Sequence, residues 1–199
     1  MKLRSIAIAL TVAFVSASAY AQSGVYLTFN AQQFTQDGIY ANPGTHGNVD
    51  RPWLFGPGYG AYFTVTKLPY FGKLKTGPVS IGIDGRGETL RLREYGSQLD
   101  RQDGLISLRV APKKSFLGST TPYVQGGFGI GHTRIPFAAH YSNNLIYQFG
   151  VGVDKPIHKH IDWRVEATSG FLGDYKVGTG AAQSNYMITL STGVVFRIK

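Results

Sequence analysis

The stretch Val79–Leu92, VSIGIDGRGETLRL, decides the fold of this chain. Its apolar residues Val79, Ile81 and Ile83 alternate with polar or small residues. A period of two is typical of a β-strand that has one apolar face and one polar face. The motif Asp-x-Arg-x-Glu at 84–88 lies entirely on the polar face, so this strand is predicted to carry a row of charges.

The same alternation recurs along the rest of the chain. The eight predicted strands are Val25–Thr35, Tyr59–Leu68, Val79–Leu92, Leu105–Ala111, Tyr123–Thr133, Ile146–Asp154, Ile161–Ser169 and Asn185–Ile198. All nine prolines fall in the predicted connections, where they delete no ladder hydrogen bond. We therefore predict an all-β fold, an eight-stranded antiparallel up-and-down transmembrane β-barrel.

The composition excludes several other classes of protein. The chain has no cysteine, which excludes disulfide scaffolds, thiolate metal sites and cysteine nucleophiles. Only 16% of the 199 residues are charged, and the chain holds 26 Gly, 12 Phe, 12 Tyr and 2 Trp. No stretch reaches the 18 or so consecutive apolar residues that a membrane-spanning helix needs.

The first 21 residues have the pattern of a cleavable signal peptide. A basic start at Lys2 and Arg4 precedes the apolar run 6–15 and the small-residue motif Ala19-x-Ala21. Cleavage before Gln22 would leave a domain of 178 residues, 22–199, and would lower the formal net charge from +9 to +7. The sequence thus predicts export.

Lysine placement indicates which face of the barrel meets water. A soluble barrel hides its apolar face inside, whereas an outer-membrane barrel turns that face towards lipid. Lysine is missing from the middle of every predicted polar face, and it concentrates in one set of alternate connections. Arginine, which pairs bidentately with carboxylates, is present on those faces instead. We therefore expect lipid outside and ions inside.

The chain resembles the small eight-stranded outer-membrane barrels, the OmpA-like and OmpX-like group with the outer membrane protein β-barrel domain. The last strand carries the closest likeness, because it looks like the family's C-terminal assembly signal. The residues of that signal are Tyr186, Ile188, Leu190, Val194 and Phe196. The resemblance implies residence in the bacterial outer membrane, contact with its lipids, recognition by the barrel-assembly machinery and a monomeric state.

With both termini in the periplasm, the connections divide into two sets. The outer loops are predicted at Gln36–Gly58, Arg93–Gly104, Arg134–Leu145 and Gly170–Ser184. The periplasmic turns are predicted at Leu68–Gly77, Pro112–Thr121 and Lys155–His160. The lysine-rich end is then the periplasmic one, where lysines can reach lipid phosphates.

Two charged motifs on opposite walls predict an ion network in the lumen. Asp-x-Arg-x-Glu recurs at 162–166, four strands after its first occurrence, and like residues are expected at similar heights. The predicted network consists of Asp84, Arg86, Glu88, Arg109, Asp162, Arg164 and Glu166. Because eight strands leave room for little more than side chains, we expect a structural plug; a gated ion path is the alternative.

A second motif indicates a different activity. His140–Tyr141–Ser142–Asn143 matches the H-x-S-N motif of outer-membrane lipid A deacylases, with His140 as base and Ser142 as nucleophile. The motif is predicted to lie in an outer loop, and the candidate orienting acid, Asp154, lies at the far end of a strand. We therefore predict no enzymatic activity and no catalytic residues, with a lipid A hydrolase as the alternative.

The remaining signals are weaker. His158 and His160 share a turn without a third ligand, so no metal site and no cofactor are predicted. Trp53–Phe55 is expected in the first outer loop, where it dips into lipid or caps the barrel mouth. Dispersed basic residues without a stacking platform argue against nucleic acid. The predicted function is a plugged outer-membrane barrel serving envelope integrity or surface interaction through its outer loops. A secreted soluble barrel that binds an apolar ligand is the least favoured alternative.

Overall fold

A computed structural model describes the part of the chain that forms the barrel. The described residues are 23–34, 53–65, 67–68, 72–73, 77–94, 97–115, 119–135, 140–175 and 183–198. The predicted signal peptide, 1–21, lies outside them. Within them, no helix is long and apolar enough to cross a membrane.

Ten strands follow one another along the described chain. They are β1 (Ser23–Phe34), β2 (Trp53–Thr64), β3 (Lys67–Leu68), β4 (Gly72–Lys73), β5 (Val79–Glu94), β6 (Ser97–Pro112), β7 (Thr121–Ile135), β8 (His140–His158), β9 (Ile161–Tyr175) and β10 (Gln183–Ile198). The two-residue strands β3 and β4 form a small hairpin of their own. β3 lies at the end of the predicted second strand, Tyr59–Leu68, and β4 lies in the predicted turn that follows. The other eight form one closed barrel.

The barrel order is β1-β10-β9-β8-β7-β6-β5-β2, and every neighbouring pair is antiparallel. Sequential strands are therefore neighbours, and β10 closes the ring against β1. The predicted eight-stranded up-and-down barrel is confirmed. Ser23 pairs with Ile198, so the two ends of the described chain lie at one mouth, which we call the terminal end. The opposite mouth is the distal end.

The strands extend further towards the distal end than predicted. Residues 53–58, 97–104 and 140–145 were expected in outer loops, but they belong to β2, β6 and β8. Trp53–Phe55 is therefore part of a strand, with Trp53 and Phe55 outside and Leu54 fully buried inside. These segments were missed because glycine, proline and charged residues weaken the alternation that identifies a strand.

Four prolines lie within strands and not in connections as predicted: Pro57 in β2, Pro112 in β6, Pro122 in β7 and Pro156 in β8. Pro57 lies in register with Phe29 of β1. The β2–β5 register pairs Phe55 with Arg91 and resumes only at Gly58 with Glu88. Pro57 therefore lies at an interruption of the ladder, where the donor that proline lacks is not needed.

Apolar side chains face outward and polar side chains face the lumen, as expected for a barrel in lipid. On β8, for example, Tyr147, Phe149 and Val151 are exposed, while Gln148 is buried. A soluble carrier barrel has the reverse arrangement. The lipid-facing orientation that the lysine distribution predicted is confirmed by this alternation.

The barrel closes with a stagger of ten residues. Following the register from Gly85 through β6, β7 and β8 leads to Phe171 on β9. Following it the other way, through β2, β1 and β10, leads to Ile161. Such a stagger accompanies strand tilt, and it determines which residues of opposite walls share a height.

Candidate functional site: the barrel lumen

An ion pair crosses the middle of the lumen between β5 and β9. Arg86 donates from Nη1 to Glu166 Oε1 at 2.5 Å and from Nη2 to Oε2 at 3.1 Å. The Arg86 side chain is 5% exposed and the Glu166 side chain is 2% exposed. A bidentate arginine–carboxylate pair is among the strongest side-chain hydrogen-bonding arrangements, and here it joins two walls of the barrel.

A second group of charges lies next to the first, towards the terminal end. Arg164 donates from Nε and Nη2 to the two oxygens of Asp154, at 2.8 and 3.0 Å. Arg109 donates to the same carboxylate at 2.6 Å. Asp84 links the two groups, since Oδ1 lies 3.6 Å from Arg86 Nε and Oδ2 lies 3.8 Å from Arg164 Nη1.

Tyrosines complete the packing around these charges. The Tyr26 hydroxyl donates to Asp84 at 2.6 Å, and the Tyr123 hydroxyl donates to Glu166 at 2.8 Å. The Arg109 guanidinium lies between the rings of Tyr62 and Tyr123, 4.2 and 3.7 Å from their centroids. Such cation–π contacts, made away from water, replace part of the hydration that the guanidinium lost.

Six of the seven residues predicted for the luminal network lie together in this layer. They are Asp84, Arg86, Glu88, Arg109, Arg164 and Glu166. The seventh, Asp162, lies at the terminal mouth and pairs with Arg197 at 3.0 Å. The prediction of equal heights for like residues was wrong: across the lumen, Asp84 and Arg86 each contact the residue two positions further along the second motif. Opposite charges therefore face each other, Arg86 with Glu166 and Arg164 with Asp84.

Two further participants were missed in the sequence. Asp154 was considered only as a partner for His140, yet it holds both Arg164 and Arg109. Arg101 was placed in a loop, but it is fully buried and donates from Nε to both oxygens of Asp103 at 2.8 Å. Residues 99–105 alternate between buried and exposed in the structure, but charged residues hide that alternation in the sequence, so no sequence signal identified this second pair.

Glu88 is the least neutralised carboxylate of the layer. Its nearest cationic atom is Arg86 Nη1 at 3.9 Å, and its register partner on β6 is another acid, Asp103. A cavity of about 10 Å³ lies beside it, bordered by Thr28, Gly58 and Arg86. That volume admits about one water molecule and no continuous water column.

The distal part of the lumen holds an apolar cluster beside buried polar residues such as Gln32, Thr133 and Asn144. Nine buried side chains form one cluster there: Phe34, Leu54, Leu90, Leu92, Leu99, Leu105, Ile146, Leu172 and Met187. Arg101 passes through this cluster, with its guanidinium 5.3 Å from the Phe34 ring and donating to Met187 S at 3.4 Å. The lumen thus has two layers, an ion layer and an apolar layer.

The H-x-S-N residues lie in strand β8, not in a loop as predicted. His140 pairs in register with Ile135 and Ser142 with Thr133, while their side chains lie outside the described part of the chain. Asn143 faces outward, and its Oδ1 lies 2.8 Å from His132 Nδ1. Asp154, at the other end of β8, is already bound by two arginines. The described residues therefore place Asp154 in the luminal network, at the opposite end of β8 from His140.

The other predicted positions are also located by the structure. His158 and His160 are exposed, and no group of three or more His, Asp or Glu in the described ranges is arranged to hold a metal ion. On β10, the residues of the predicted assembly signal share the outward face. They form an apolar stripe along the strand that closes the barrel.

Comparisons with known proteins agree with this architecture. The structure of Neisserial surface protein A (NspA) superposes with a TM-score of 0.60 at 11% identity, covering 90% of this chain and all of that one. The fold is that of a small bacterial outer-membrane barrel. This confirms the predicted resemblance at the level of the fold.

Two further structures are similar at lower scores. Ail of Yersinia pestis has a TM-score of 0.45 at 11% identity, covering 90% of this chain and 100% of that one. OprG of Pseudomonas aeruginosa has a TM-score of 0.42 at 9% identity, covering 89% and 96%. No protein-family model and no curated protein matches the sequence.

Proposed function

We propose that this protein is exported by a cleavable segment, residues 1–21, and spans the bacterial outer membrane as a closed, non-enzymatic monomer. In this orientation the terminal end faces the periplasm and the distal end faces the outside. The outward apolar belt supports contact with lipid. The β10 stripe is the surface that the barrel-assembly machinery would recognise during insertion.

The observation that carries the proposal is the cross-lumen pair of Arg86 and Glu166. A carboxylate buried without a partner in a narrow lumen would bear a large desolvation cost. Pairing removes most of that cost, and the two tyrosines and the neighbouring ions occupy the remaining space. The apolar layer blocks the lumen at a second height. The barrel therefore does not conduct ions as a pore does.

The physiological role then belongs to the outside of the barrel. The strands project past the apolar belt at the distal end, where outward residues such as Arg91 and Asp100 are polar and paired at 3.6 Å. The connections 35–52, 136–139 and 176–182 join strands at this end. We assign these segments to surface interaction, and the barrel itself to envelope integrity.

Two measurements on the wild-type protein test this function. After fractionation, the protein is expected in the outer-membrane fraction, with a gel mobility that changes on boiling, as folded barrels show. In a planar bilayer, the same preparation is expected to show no large steady conductance. A stable conductance of porin size would contradict the plugged lumen, and recovery in the soluble periplasmic fraction would contradict the membrane location.

A further inference from the structure

The strand ends and turns at the terminal end of the barrel carry basic residues and no acidic ones. Residues 66–78, 112–121 and 155–160 contain seven lysines and no Asp or Glu. The two nearest acids, Asp154 and Asp162, face the lumen and are bound by arginines. At the distal end, by contrast, acids such as Asp37 and Asp50 are mixed with the basic residues. The described lysines at this end, Lys113, Lys114, Lys155 and Lys159, are exposed and can therefore meet an external anion.

The β8–β9 connection shows how this charge meets the lipid-facing surface. Val153, Lys155 and Ile157 follow one another on the outward face of β8, and all three are exposed. Trp163 of β9 is the register partner of Lys155 and is 46% exposed. Lys159 is exposed in the turn that follows. Aliphatic, aromatic and cationic side chains thus share one outward surface, with Lys155 between Val153 and Ile157.

We propose that the surface formed by Lys155, Ile157, Lys159 and Trp163, the β8–β9 surface, binds the headgroup of an anionic phospholipid. This inference rests on the proposed function, which places the terminal end at the periplasmic leaflet. Lysine ammonium groups attract phosphate, and their long aliphatic stems lie along apolar surface while the charge stays in the polar zone. Trp163 supplies an amphipathic ring of the type that is enriched at that depth.

The position of Lys155 favours a lipid over a periplasmic polymer. Its neighbours on the same face of β8, Val153 and Ile157, are apolar and exposed, so its ammonium group leaves the barrel at the edge of the lipid belt. A phospholipid can occupy both parts of this surface, with acyl chains on Val153 and phosphate on Lys155. Peptidoglycan carboxylates would satisfy the charge but would leave the apolar part uncovered.

The two tryptophans of the chain provide an internal test, because they lie at opposite ends of the barrel. Trp53→Phe leaves Trp163 as the reporter at the β8–β9 surface, and Trp163→Phe leaves Trp53 as the distal reporter. Each variant is folded into phosphatidylcholine vesicles that contain a minor share of phosphatidylglycerol. Bromine is placed near the headgroup on the acyl chains of one lipid or the other, and tryptophan quenching is measured.

Brominated phosphatidylglycerol is expected to quench Trp163 more than its share of the lipid predicts, whereas Trp53 should show no such preference. Replacing one lysine, as in Lys155→Gln, should lower the local enrichment about fivefold at low salt, which corresponds to about 1 kcal/mol per basic residue near a charged surface. Lys155→Gln/Lys159→Gln should abolish the preference. Lys113→Gln/Lys114→Gln, which removes equal charge from another connection, is the matched control.

Several results would overturn the β8–β9 surface as a lipid site. Equal quenching by both lipids would do so, as would an equal loss in the control variant. Cosedimentation with purified peptidoglycan that disappears in Lys155→Gln/Lys159→Gln, without a lipid preference, would assign the lysines to the cell wall instead. The heat-dependent gel shift is recorded for every sample. Failure of that shift in the wild type would contradict the proposed function, and its presence without a lipid preference would contradict only this site.

Discussion

Arg86 is the residue on which the central closure of the lumen depends. Its guanidinium binds Glu166 across the barrel and lies close to Asp84 and Glu88. Replacing Arg86 with alanine would leave Glu166 with one hydrogen bond, from Tyr123, in a site that excludes most water. Removing one member of a buried ion pair costs about 3–5 kcal/mol, so we expect Arg86→Ala to lower the free energy of unfolding by that amount.

Reversible urea unfolding in lipid vesicles measures this loss. Arg91→Ala is the control, because the Arg91 side chain is 61% exposed and its pairing with Asp100 is a surface contact. Changes at such surface pairs stay within about 1 kcal/mol. Arg86→Met/Glu166→Met should recover most of the loss, since both charges are removed together. Equal stability of Arg86→Ala and Arg91→Ala would show that the cross-lumen pair is not structural.

Ser142 is predicted to have no catalytic role. Asp154, the acid first considered for orienting His140, is occupied by Arg164 and Arg109, and Asn143 lies against His132. Mass spectrometry of lipid A from cells that express the wild type or Ser142→Ala should therefore show the same acyl pattern. Loss of an acyl chain with the wild type alone would establish the hydrolase instead.

Strand β2 passes close to the backbone of β5 at Gly56. A β-carbon at Gly56 would stand 2.9 Å from the Thr89 carbonyl carbon and 3.1 Å from Leu90 Cα, closer than packed atoms approach. We expect Gly56→Ala to destabilise the barrel by about 1–3 kcal/mol, because the backbone of β5 would have to move. Urea unfolding in vesicles checks this value.

Gly85 provides the matched control for Gly56. It faces outward on β5, and nothing lies within 4 Å of the position its β-carbon would take. Gly85→Ala should therefore leave the stability of the barrel unchanged or raise it by about 0.4–1 kcal/mol, because alanine reduces the conformational entropy of the unfolded chain. If both alanine variants were equally stable, the backbone of β5 would not lie as close to Gly56 as the structure places it.

Strand β10 tests which face of the wall meets lipid. Leu190 lies outward in the middle of the strand and is 50% exposed, so Leu190→Arg should cost about 2–4 kcal/mol, as arginine does at the bilayer midplane. Ile198→Arg, on the same face at the terminal end, should cost only about 0–1 kcal/mol, since arginine there reaches the interface. If the two variants lost the same free energy of unfolding in vesicles, Leu190 would not lie deeper in the bilayer than Ile198.

At the scale of the whole molecule, the proposed closure of the lumen has two layers. The ion layer lies towards the terminal end, and the apolar layer, which includes Leu90 and Leu99, lies towards the distal end. Loss of one layer leaves the other in place. Buried side chains occupy both layers, so we expect the intact lumen to pass no steady ion current.

We therefore expect Arg86→Ala to remain closed in a planar bilayer, although it is less stable. Combining it with Leu90→Ser and Leu99→Ser, which admit water to the apolar layer, should produce small conductance steps. The double serine variant without Arg86→Ala is the control and should stay closed. Steady conductance from Arg86→Ala alone would show that the ion layer is the only barrier.

The period-two pattern was sufficient to predict the number of barrel strands, their order and the outward direction of residues such as Phe149 and Leu190. It also identified the charged rows that hold Arg86 and Glu166. It could not identify the distal strand extensions, because Gly56, Pro57 and the charged residues around Arg101 obscure the alternation there. Because these extensions were not predicted, neither the apolar layer nor the Arg101–Asp103 pair was predicted.

The sequence by itself determined the two faces of each strand, because alternation is a local property of an extended chain. Only the tertiary structure decided which charges meet across the lumen. The height of Arg86 relative to Glu166 depends on the register of every intervening strand and on the ten-residue stagger with which the ring closes. The relative height is the combined result of all these registers, and a local sequence pattern describes only one strand at a time. That is why Asp162 pairs with Arg197 at the mouth, while Asp154 binds the arginines of the ion layer.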